Sequence, residues 1–104
     1  MSDRQEKARE LIQHTAAEFL GAEANKSPLI TVTNTRLSTN GKEATILVTV
    51  FPESGEQAAL FFLKRKRGEM REYLKSRARI GRLPSIDFAI DRGEKHRQHI
   101  DTLI

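Results

Sequence analysis

Nine of the residues between Lys64 and Arg82 (KRKRGEMREYLKSRARIGR) are cationic: Lys64, Arg65, Lys66, Arg67, Arg71, Lys75, Arg77, Arg79 and Arg82. Only Glu69 and Glu72 oppose them, so the segment carries +7 in a chain whose formal net charge is +4, and the remainder carries −3. The basic character is therefore local, and a local basic patch on a small domain is the footprint of a polyanion partner. Four consecutive cations, Lys64–Arg67, cannot share one helix face, and they repel one another unless something anionic sits against them. Lysine offers a phosphate a point charge, and arginine can grip it with two parallel hydrogen bonds. Gly68, immediately after the run, is the second unusual residue. The plainer readings are a solvated helix face for the run and close helix packing for Gly68. Arg77, Arg79 and Arg82 have a third, pairing with Asp87, Asp91 and Glu94.

Nothing else in the chain has the pattern of reaction chemistry. There is no cysteine, which excludes disulfides and thiolate chemistry and fits a reducing cytoplasm. His96 and His99 stand three apart near Asp91 and Asp101, but structural zinc sites show cysteine or a tighter His/carboxylate set. His14 borders an apolar helix face. No nucleophile–base pair, paired-carboxylate motif or phosphate loop is present. The expectation is a binding protein without catalytic residues, metal or cofactor. No apolar run approaches the roughly 20 residues of a membrane span, and the polar start MSDRQEKARE is unlike a signal peptide. At 104 residues, 38% hydrophobic and 31% charged, the chain reads as a single soluble domain over 1–104, expected to be cytoplasmic and monomeric.

The elements that must position the basic segment can be read in order. A first helix is expected from about Asp3 to Leu20, with Ser2 and Gln5 spaced as a capping box and Gly21 as its stop. Its apolar face is Ala8, Leu11, Ile12, Thr15, Ala16, Phe19 and Leu20. Leu29–Leu37 and Glu43–Phe51 read as strands of an antiparallel hairpin turned at Asn40-Gly41. The second is expected to be central, since both of its faces are largely apolar. Ser54 and Gln57 again have capping-box spacing. The following helix places Ala59, Phe62, Leu63, Met70, Tyr73 and Leu74 on one face, interrupted by a cation at Lys66 and by Gly68. A mid-helix glycine costs about 1 kcal/mol relative to alanine, and the two penalties together predict a kink at Gly68. Arg77, Arg79 and Arg82 then fall in an extended run before Pro84. A third strand, Ser85–Asp91, turns Ile86, Phe88 and Ile90 inward. Asp91 and Glu94 have the spacing to cap a last helix with His96, Ile100 and Leu103 inside. Phe19, Phe51, Phe62 and Phe88 are expected on core faces, which leaves few aromatics for stacking on bases. The order predicts a two-layer α+β sandwich, a three-stranded sheet with helices on one face.

Two groups of residues in this order resemble the bacterial ribosome-binding factor A family. One is Ile30-Thr31-Val32-Thr33 leading to Ser38, Ala44 and Val48-Thr49-Val50. The other is Gly68-x-x-Arg71-x-x-Leu74 leading through Arg79 to Leu83-Pro84 and the strand with Phe88. The resemblance implies a type II KH-like fold, α-β-β-α-kink-α-β, in which a helix–kink–helix ending in Ala-x-Gly replaces the usual GxxG loop. Gly68 matches the glycine, and Lys66 stands where the family has alanine. It also implies a factor that binds the small (30S) ribosomal subunit and its 16S rRNA and assists late maturation. RNA contacts would fall on Lys64, Arg65, Lys66, Arg67, Gly68, Arg71, Lys75, Arg77, Arg79 and Arg82. Members commonly carry a charged C-terminal extension, and no contribution from one is expected here. KH-type domains clamp the nucleic-acid backbone at a turn between two helices, so structure-directed binding with little base reading is expected. The alternatives are a general nucleic-acid-binding module and a module that docks an acidic protein partner.

Overall fold

The structure, a computed structural model, describes residues 3–23, 28–77 and 81–103, with the side chains of 22, 23 and 99–103 left out. Helix α1 (Asp3–Glu23) is followed by β1 (Leu29–Leu37) and β2 (Glu43–Phe51). A single 3-10 turn (Glu53–Gly55) leads into α2 (Glu56–Arg65), α3 (Arg67–Arg77), β3 (Ser85–Ile90) and α4 (Arg92–Leu103). The sheet order is β1-β2-β3, with β1 antiparallel and β3 parallel to the central β2. A parallel pair needs a long crossover, and α2 and α3 supply it.

One core joins the layers. Ile12, Ala16, Phe19 and Leu20 of α1, Ala59 and Leu63 of α2, and Met70 and Leu74 of α3 are buried against the inner face of the sheet. That face presents Ala44, Ile46, Val48 and Val50 from β2 and Ile86, Phe88 and Ile90 from β3. The expected α+β sandwich is thus observed, and most of its inward-facing residues with it; Leu11, expected on the inner face of α1, is exposed. Among the described residues no helix is long and apolar enough to cross a membrane.

Several local expectations give way to tertiary context. Helix α1 continues through Gly21 to Glu23, because a glycine stops a helix by taking a left-handed conformation, and among the described residues the positive-φ glycine is Gly41, at 72° in the hairpin turn. Ser2, the expected partner of Gln5 in a capping box, lies outside the described residues; Gln5 donates to the Thr39 carbonyl in that turn at 2.7 Å. Ser54 caps nothing: it sits inside the 3-10 turn, and Gly55 precedes α2 without a side-chain cap. Gly55 is there for space, since a Cβ would stand 2.9 Å from Pro28 Cβ. Phe51 is 75% exposed on the last residue of β2 rather than in the core. His96 is exposed and not on an inner face, whereas Asp91 does cap α4, accepting from the Glu94 N–H at 3.0 Å.

The hairpin also contains a β-bulge. Val32 pairs with Val48 and Asn34 with Leu47, so Thr33 is the extra residue. The added residue reverses the phase of the strand. Strict alternation from Ile30 and Val32 would send Asn34 and Arg36 inward. With the bulge, buried Thr35 and half-buried Leu37 take those places. The displaced Thr33 hydroxyl donates to the Asp91 carboxylate and so ties β1 to the start of α4.

Candidate nucleic-acid interface

The basic run straddles a break between two helices, and the break falls at Lys66, not at Gly68. Lys66 has φ −91° and ψ 0°, and its N–H is shared between the carbonyls of Leu63 (2.9 Å) and Phe62 (3.2 Å), which closes α2. Its own carbonyl accepts the Met70 N–H at 2.8 Å and opens α3. One residue therefore ends the first helix and starts the second. The cause is the core. Leu63 and Met70 are both fully buried, and a straight helix would carry Lys66, between them on the same face, into that core. Burying an ammonium is far costlier than giving up the few helical hydrogen bonds lost at the break. The break lets the side chain reach outward over the Phe62 ring (5.6 Å to its centre) and toward Glu69 (3.3 Å). Because φ is negative, the turn does not require glycine, and lysine is accommodated where the family has alanine.

Gly68 lies exposed in the first turn of α3, and a Cβ added there would meet nothing within 4 Å. The close-packing reading of this glycine is therefore excluded. What Gly68 leaves bare is the backbone of a helix start, where N–H groups lack intrahelical acceptors.

The cations around the break are not equivalent. Lys64 Nζ lies 2.8 Å and Arg67 Nη1 3.5 Å from Asp87 Oδ1, on β3. Arg67 Nε also donates to the Lys64 carbonyl at 3.0 Å, satisfying an acceptor at the end of α2. Burial pushes the Asp87 carboxyl up, but the Lys64 hydrogen bond, the Phe88 N–H and the two positive charges outweigh it and hold it below the usual range. Arg65 is exposed and has no ion pair among the described residues. On the next turn of α3, Arg71 Nε donates to the Pro84 carbonyl at 3.3 Å, bringing the loop of Arg82 to the same side of the molecule.

Lys75 and Arg77 lie at the other end of α3, about 14–17 Å from the break at 1.5 Å per residue. Arg77 belongs to the helix rather than to an extended run, and its partner is Glu18 of α1 at 3.0 Å, not Asp87, Asp91 or Glu94. It also lies over the Tyr73 ring, 4.7 Å from its centre. Arg79 lies outside the described residues. The structure thus gathers Lys64, Arg65, Lys66, Arg67 and Gly68 at one turn, places Arg71 one turn on, against the loop that carries Arg82, and separates Lys75 and Arg77 from them.

Phe61 was not foreseen. It is 71% exposed on α2, one turn before Arg65. The adjacent pair Phe61-Phe62 was the available signal, since two consecutive helical residues cannot both face one core. Beside four cations, an exposed ring is a surface on which an unstacked base can lie.

With the geometry in place, comparison with known proteins is consistent throughout. The profile of the family Ribosome-binding factor A matches residues 4–104. The ribosome-binding factor A of Thermobifida fusca is 32% identical over 97% of this chain and 69% of its own, and that of Chlorobium chlorochromatii 26% identical over 100% and 87%. The crystal structure of the Thermus thermophilus factor superposes with a TM-score of 0.74 at 30% identity, covering 83% of this chain and 93% of that one. A homology model of the Thermus thermophilus factor, fitted into the cryo-EM map of a 30S complex, gives a TM-score of 0.67 at 31% identity over 82% and 92%. The chain belongs to the ribosome-binding factor A family.

Proposed function

We propose that this protein binds the small ribosomal subunit through its rRNA and assists late maturation of 16S rRNA. The helix break at Lys66 would be the backbone contact. The observation that carries this reading is the placement of four consecutive cations at a turn whose next residue, Gly68, leaves backbone N–H groups open to solvent. A phosphate there would meet the start of α3, Arg65, and the Lys64–Arg67 pair in exchange for Asp87. Arg71 and Arg82 would extend the contact along the loop before β3, with Lys75, Arg77 and Arg79 as outer contacts. A relative fitted into a 30S complex supports the choice of partner. The role is binding rather than catalysis.

The test is co-sedimentation with purified small subunits against bulk RNA as competitor. Binding should resist the competitor and fall steeply with salt. With about five phosphates neutralised, the log–log slope is near −3.5 for single-stranded RNA. Replacing Lys64, Arg65, Lys66 and Arg67 together by Ser should abolish co-sedimentation while leaving the melting temperature within a few degrees. Equal competition by bulk RNA would reduce the reading to general nucleic-acid binding. A flat salt response would remove RNA altogether.

A further inference from the structure

A groove of about 740 Å³ lies between the first half of α1, the hairpin turn and the loop before β3. This volume is within the roughly 300–1,000 Å³ of small-ligand clefts. Its floor is aliphatic, formed by Ala8, Leu11, Leu37 and Pro84. Leu11 is 38% exposed there, although the rest of its helix buries its large apolar residues. Three cations, Arg4, Lys7 and Arg82, line the walls with no carboxylate among the lining residues. Glu6, on the same helix turn, is already held by Arg9 at 2.6 Å. Asn40 also lines the groove. Its carboxamide oxygen is used by the Ser38 hydroxyl and the Lys42 N–H, so its amide hydrogens are what it can offer a ligand.

We propose that this groove receives one unpaired nucleotide of RNA, its base on the aliphatic floor and its flanking phosphates at Arg4, Lys7 and Arg82. This rests on the RNA-binding reading above and adds a second contact to it. Two observations favour RNA over other occupants. An apolar floor ringed by cations suits a ligand with a flat, weakly polar body and anionic flanks, and a nucleotide has both. The groove is also tied to α3 just past the helix break, because Pro84 lines it and its carbonyl accepts the hydrogen bond of Arg71. Two of its three cations come from α1, outside the basic segment.

Binding is measured by fluorescence anisotropy with two RNA hairpins, one carrying a single unpaired nucleotide and one fully paired. The wild type should prefer the former by about tenfold, of the order of one base contact. Ala8→Phe, which stands a ring on the groove floor where the base would lie, should erase that preference and leave the paired hairpin's affinity unchanged. Arg4→Ser and Lys7→Ser combined, which leave Arg82 of the helix-break contact in place, should flatten the log–log salt slope by about 1.4 for the unpaired substrate. This surface variant carries the test by itself if Ala8→Phe fails to fold. Equal wild-type affinity for both hairpins would overturn the proposal. So would double-variant binding identical to wild type, or displacement from the groove by a glutamate-rich peptide rather than by uridine monophosphate. The Lys64–Arg67 serine variant separates the two readings. If it binds both hairpins like wild type, the helix-break reading fails while the groove result stands on its own.

Discussion

Asp87→Asn should tighten RNA binding while slightly destabilising the protein, because the carboxylate occupies the cations a phosphate would use. Lys64 Nζ is 2.8 Å and Arg67 Nη1 3.5 Å from Oδ1, with all three side chains close to half exposed (44–48%). Ion pairs this open contribute about 0.2–1 kcal/mol to stability, so the melting temperature should fall by no more than about 5 °C. The asparagine oxygen can still accept the Phe88 N–H that Asp87 receives at 2.9 Å. On the binding side, a phosphate on the far side of Lys64 would sit about 5–6 Å from the carboxylate. Two unit charges at that spacing repel by about 0.7 kcal/mol in water, and by about 0.4 kcal/mol after screening in 0.1 M salt. Removing the repulsion predicts a twofold to fourfold lower Kd for a short single-stranded RNA, read by anisotropy. Asp91→Asn changes the net charge equally but lies at the start of α4, away from the break. Unchanged or weaker binding by Asp87→Asn, or the same gain from Asp91→Asn, would refute the reasoning.

Gly68→Ala should raise stability by about 0.5–1 kcal/mol, since its backbone is helical and its Cβ has room, and it should weaken subunit binding by covering the backbone. Gly55→Ala should lower stability by about 1–3 kcal/mol, because a Cβ meets Pro28 at 2.9 Å; chemical denaturation distinguishes the two glycines. Thr35 is 2% exposed and its hydroxyl has no hydrogen-bond partner among the described residues, so Thr35→Val should stabilise by about 1 kcal/mol. Burial pushes the Asp91 carboxyl up, but the Thr33 hydroxyl and the Glu94 N–H outweigh it and hold it low. A depressed folded pKa means stability that is complete above the unfolded value near 3.9 and lost as pH falls through the folded one. The stability gap between wild type and Asp91→Asn, about 1 kcal/mol at pH 7, should therefore close below pH 4.

How legible the protein was depended on the range of the interaction concerned. The apolar face of α1, the two hairpin strands and the inward set Ile86, Phe88 and Ile90 follow from periodicity alone, because burial acts on each element's own repeat. The helix break was legible as an event but was placed at the wrong residue. Gly68 has the weaker propensity, yet Lys66 is the residue that cannot share a core with Leu63 and Met70. The bulge at Thr33 left a trace, polar Asn34 and Arg36 at would-be inward positions, that a strict alternation passes over.

Composition and order by themselves determined that the fold is α+β and that the positive charge is concentrated in a single segment. Those properties are sums over residues or short-range repeats, and no distant contact can alter them. Only the tertiary structure decided which cations are committed and which are open. Asp87 stands 23 residues from Lys64 in sequence and 2.8 Å from it in space, and Arg77 meets Glu18 across 59 residues. It also decided that Arg4 and Lys7 face the same groove as Arg82. Side-chain pairing across a crossover depends on how the layers are stacked, and that geometry has no counterpart along the chain.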